Sequence, residues 1–87
     1  MNYMLEPMNE NHEMACMVKF SGNRSDAVKK ATGIAATLQA QLDGASITCR
    51  VRKAAACKAH YTDEAGGLIV TPVGAVLDES TGNPVKL

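Results

Sequence analysis

Arg50, Arg52, Lys58 and His60 are the residues of this 87-residue chain whose types and spacing best suit contact with an anionic or carboxylate-bearing partner. Ile47, Cys49 and Val51 alternate with Thr48, Arg50 and Arg52, the period of a half-buried strand. If residues 46–53 and 56–61 are neighbouring strands with Ile47, Cys49, Val51, Cys57 and Tyr61 turned inward, then Arg50, Arg52, Lys58 and His60 share the opposite face. Arginines at alternate strand positions can each fork onto a carboxylate or phosphate. The competing explanation is a solvated sheet face, partly neutralised by the chain's own acids.

Cys16, Cys49, Cys57 and His60 are a second set, good tetrahedral zinc ligands by type. The spacing argues against them. On a flat strand positions 57 and 60 point to opposite faces, and the close cysteine pair customary in zinc sites is absent, so packed thiols and no metal are expected. Cys57 and His60 as nucleophile and base lack a third group to orient them, and Gly66-Gly67 has no strand–GxxxxGK–helix context for binding phosphate. The expectation is therefore no enzyme and no cofactor.

Net charge is zero, but the charges are segregated. Glu6, Glu10 and Glu13 are unopposed in residues 1–13, and Asp63, Glu64, Asp78 and Glu79 face a lone Lys86 in 59–87. The middle holds Lys19, Arg24, Lys29, Lys30, Arg50, Arg52, Lys53 and Lys58 against Asp26 and Asp43. A basic middle between acidic ends bears on partners rather than on fold.

The elements that must position these groups follow from period and punctuation. Residues 1–12, with Pro7, Asn2, Asn9 and Asn11, are expected to be a flexible N-terminal arm, leaving 13–87 as one α+β domain. Met14, Cys16, Val18 and Phe20 alternate with Ala15, Met17 and Lys19, predicting a strand over 14–20 with the first set on the core face. Ser25 as N-cap and Asp26 behind it open a helix over 26–43, which Gly44 closes; Ile34, Leu38 and Leu42 are its expected buried anchors. Further strands are expected at 46–53, 68–71 and 75–78, with 53–61 readable as strand or helix and a last turn before 85–87. The resulting order, β-α-β-β-β, predicts one amphipathic helix on a mainly antiparallel sheet of four to five strands.

Only Tyr3, Phe20 and Tyr61 are aromatic and Trp is absent. So small a core in a chain that buries roughly 60–65% of its unfolded surface is marginal, which favours a homodimer. The lack of any apolar run of about 18 residues predicts no membrane contact and a cytoplasmic location, where three unpaired thiols stay reduced. No segment carries a recognisable family motif. The reading that fits is a small non-enzymatic interaction protein that docks on and occludes a larger protein partner, as phage-encoded inhibitors of bacterial defence systems do. A nucleic-acid-binding domain using the basic middle is the second reading, opposed by the acidic flanks and scarce aromatics. An oligomer-forming structural component is the third.

Overall fold

Asn23 opens the helix by accepting a hydrogen bond from the Asp26 N–H at 2.8 Å, so that α1 spans Arg24–Gln41. The cap lies two residues before the expected Ser25, and Asp26 still complements the positive end of the helix. At the other end the Leu42 N–H reaches the Leu38 carbonyl, and Gly44 turns the chain away with φ 80°. This is a computed structural model, and it describes residues 2–53 and 67–86.

The stripe that α1 buries is Ala27, Val28, Ala31 and Ala35. Small side chains let the helix sit close to the sheet. Of the anchors expected from sequence, Ile34 and Leu38 are half-buried on the flank of this stripe, and Leu42 is 47% exposed. Leu42 lies beyond the last helical residue, where the chain has begun to leave the sheet.

Five strands form one antiparallel sheet in the order β2-β1-β3-β4-β5: β1 Asn2–Met8, β2 Val18–Ser21, β3 Thr48–Lys53, β4 Leu68–Val70 and β5 Val76–Asp78. Among the described residues the molecule is thus an α+β fold with one helix on one sheet. The expected β-α-β-β-β order is present with one strand added at its start. Residues 2–8 are not an arm: they form an interior strand between β2 and β3, with Met4, Leu5, Glu6, Pro7 and Met8 all buried. A strand covered on both faces has no polar side, so the alternation that reveals a half-buried strand is missing.

Pro7 is the other reason the strand was hard to foresee, since a proline removes a ladder hydrogen bond. Its carbonyl accepts from the Ala15 N–H at 3.1 Å, so its missing N–H faces the β2 side. There the pairing is already interrupted. Leu5 stands opposite Val18 and Met8 opposite Met14, leaving two residues of β1, Glu6 and Pro7, against three of the other strand, which is a bulge within 15–17. The bulge also ends the expected alternation: Val18 and Phe20 pack on the core, whereas Met14, Cys16 and Met17 are exposed.

Tyr3, Leu5, Cys49, Val51, Leu68, Val70 and Val76 point to the helix and complete the core with its alanines. β2 and β3 both run antiparallel to β1 and are therefore parallel to each other, joined by α1 across it. At the far edge, β5 is covered by residues 83–85: Leu77 bridges Pro84, and the Val85 N–H donates to the Val76 carbonyl. The expected strand at 56–61 lies outside the described residues.

Candidate functional site

The register that puts Cys49 and Val51 against the helix puts Thr48, Arg50 and Arg52 on the other face, beside Met4 and Glu6 of β1. Arg50 stands directly across from Glu6, and its Nε donates to Glu6 Oε1 at 2.8 Å. Arg50 Nη1 donates to Glu79 Oε2 at 3.2 Å, and Arg52 Nη2 and Nε donate to the two Glu79 oxygens at 3.1 and 3.3 Å. The result is a chain of alternating charge, Glu6–Arg50–Glu79–Arg52, in which both acids come from the acidic ends of the sequence. Lys58 and His60 lie outside the described residues, so their relation to this cluster is not part of the geometry.

Glu6 has no solvent-exposed surface, and among the described residues its Oε2 has no hydrogen-bond donor. A buried carboxylate held by one guanidinium depends on that partner, because a lone buried charge is far costlier than the pair. Burial alone would lower the Arg50 guanidinium's affinity for its proton, but the Glu6 and Glu79 carboxylates outweigh it and raise its pKa. Burial likewise pushes the Glu79 carboxyl up, and the hydrogen bonds from Arg52 and Arg50 more than offset it, holding Glu79 below its ordinary range.

Glu79 reaches the arginines because of its turn. Asp78 Oδ1 accepts from the Ser80 and Thr81 N–H groups, and the Asp78 carbonyl accepts from Gly82, fixing the chain just after β5. The Glu79 N–H bonds the Gly67 carbonyl. A Cβ at position 67 would collide with the Glu79 carboxylate, so glycine is what leaves room for it.

A different surface lies on the helix side. α1 packs on β1, β3 and β4, and the edge strand β2 extends beyond it. Between them runs an open groove of about 510 Å³, with Val18, Gly33, Ile34 and Leu38 at its base, Cys16 at one side and Lys29 and Lys30 at its rim. Leu38 also lines a smaller cavity of about 170 Å³ with Met8, Met14, Leu42 and Ile47, so the two form one apolar strip along the helix. Sequence reasoning missed this strip because it assigned Ile34, Leu38 and Leu42 wholly to the core. Their partial exposure follows from the position of α1 over the middle of the sheet, which no periodicity encodes.

The thiols considered as zinc ligands have different surroundings. Cys49 is buried on the helix face of β3, where burial pushes its thiol up to about 12, and Cys16 is exposed on the bulged segment rather than on the core face. A thiol so seldom ionised is a poor nucleophile. Cys57 and His60 are outside the described residues. Among the described residues, no three His, Cys, Asp or Glu side chains are grouped so as to hold a metal ion. No helix among them is long and apolar enough to cross a membrane. Comparison with family models, curated proteins and solved structures returns no match.

Proposed function

We propose that the chain is a small non-enzymatic interaction protein that docks on a larger macromolecular partner and occludes its working surface, as a phage-encoded inhibitor of a bacterial defence system would. The observation that supports this reading is the apolar strip, on which Met14 and Leu42 are 43% and 47% exposed and continue into Ile34 and Leu38. A continuous apolar surface beside charged residues on so small a domain is the kind that a partner covers. Arg50, Arg52, Lys58 and His60 are the contact set favoured by charge. Glu79 already occupies the two guanidinium groups, so a partner carboxylate gains them only by displacing it. Docking therefore begins on the apolar strip.

A photo-crosslinking residue placed at Thr37, in the groove, and separately at Lys86, beyond the opposite sheet edge, tests this in cells of the source organism. The expected result is one discrete heterologous adduct from Thr37 and none from Lys86, with the captured partner losing activity when the purified chain is added. Absence of an adduct from Thr37, or adducts only with the chain itself, overturns the reading. Self-adducts alone would instead support a structural oligomer.

A further inference from the structure

The two sheet edges are finished differently. β5 is covered by residues 83–85, whereas among the described residues no backbone group pairs with the outer side of β2. Because Pro7 turns its carbonyl toward β2, the alternation of β1 has Tyr3 and Leu5 bond Phe20 and Val18. Lys19 and Ser21 are then left with N–H and C=O directed outward. This edge, unpaired among the described residues, borders the groove.

Gly33 sharpens the point. It lies inside an 18-residue helix, where glycine costs roughly 1 kcal/mol relative to alanine. A packing reason is missing, since a Cβ built there meets nothing within 4 Å, and its φ is not in the left-handed region. Its lack of a side chain leaves the helix side of the groove open, since a Cβ there would stand in free space. Charge then selects the occupant. Lys29 and Lys30 rim the groove, Lys19 sits on the opposite face of the same edge, and among the described residues no carboxylate lines the groove. A second copy of the chain paired through β2 would bring six lysines together, which disfavours the symmetric dimer. Among the described residues no aromatic ring lines the groove to stack a base.

We propose that β2 and the groove beside α1 receive an extended, acidic segment of a partner protein as a sixth strand. Its backbone pairs with Lys19 and Ser21, its alternate apolar side chains lie on Val18, Ile34 and Leu38, and its acids, on the other face of the added strand, pair with Lys19, while Lys29 and Lys30 attract the acidic segment through the field they set over the groove. Lys19 at the centre of a short, bulged edge also discourages pairing by neutral strands, so the same feature gives selectivity. This inference rests on the reading that the chain acts by docking, and it names the chemistry of the segment that is bound.

The probe is the capped peptide Glu-Val-Glu-Val-Glu-Val-Glu, titrated into the full chain and followed by heteronuclear NMR. The expected result is a saturable shift of the Lys19 and Ser21 amides and of helix residues 29–38, with slowed hydrogen exchange at Lys19 and Ser21. Lys29→Glu/Lys30→Glu should weaken binding at least about tenfold, since both charges are reversed at an exposed rim. Gly33→Leu should block the groove while the fold is kept, because its side chain enters open space and the helix gains a better former.

Equal binding by a Lys-Val peptide, by the acidic peptide N-methylated on its edge-facing amides, or by the Gly33→Leu variant would overturn the proposal. So would oligothymidylate moving the same resonances, concentration-dependent dimerisation through β2, or no shift at these residues. An adduct from Thr37 without peptide binding would leave the docking reading in place and remove strand addition alone. Failure of both removes both.

Discussion

Replacing Glu79 with Gln takes the charge from the centre of the Glu6–Arg50–Glu79–Arg52 chain while keeping its shape. Glu79 accepts three guanidinium bonds at 3.1–3.3 Å, and the side chains of Arg50, Arg52 and Glu79 are 20%, 15% and 28% exposed. Partly buried charge-assisted bonds contribute about 1.5–3 kcal/mol each, and these long ones belong at the low end. Gln keeps a carbonyl for one of them, so the loss should be about 2–3 kcal/mol, a fall in Tm of about 10–20 °C in a domain of this size. Glu79 is held below its ordinary value of 4.5, so its contribution is present above that value and is lost as pH falls through the depressed one. The gap between wild type and variant should therefore be full at pH 7 and should close progressively below about pH 4. Gly67→Ala, which displaces the same carboxylate, should lower Tm in the wild type and add little to Glu79→Gln. Circular-dichroism melts across pH measure all of this. A Tm within about 2 °C of wild type at pH 7 would mean that solvent screens the cluster, and an unchanged gap at pH 3 would mean that Glu79 is not its titrating member.

Native alkylation should label Cys16 quickly and leave Cys49 unmodified until the chain is denatured, because one is exposed and the other buried with its thiol at about 12; mass spectrometry of tryptic peptides reads the two separately. Val51→Ala should cost about 2–3 kcal/mol, the transfer of two methyl groups plus a cavity, whereas Leu42→Ala should stay within about 1 kcal/mol. Chemical unfolding of both variants tests whether the core lies under the alanine stripe, and a larger loss at Leu42 would contradict it.

The helix and the strands from β3 onward were legible because each carries a clean signal. Alternation at 47–52 announces β3, Pro72-Val73-Gly74 announces the reversal between β4 and β5, and Gly44 ends α1. β1 was not legible, since its two buried faces erase the period and Pro7 speaks against an interior strand. Only the bulge opposite, itself visible as two residues paired against three, makes the proline acceptable. Of the candidate contact residues, the face of Arg50 and Arg52 could be read from β3 alone. Their engagement by Glu6 and Glu79 could not, because it needs strand order: Glu6 meets Arg50 only if β1 lies beside β3, 44 positions away in sequence. The segregated charges are thus in part a fold's own neutralisation, seen before folding brings them together.

That 44-residue separation also orders events during folding. The β1–β2 hairpin involves neighbours in the chain, but the second side of β1 stays unsatisfied until α1 and β3 exist, and non-local pairing is the slow part of such a topology. For that interval Tyr3, Met4, Leu5 and Met8 form an apolar strand with an open edge, the type of segment that self-associates. Glu6 interrupts it. A carboxylate that is costly to bury in the finished molecule is solvated and repulsive in the unfinished one, so Glu6 acts as a gatekeeper until Arg50 arrives to neutralise it.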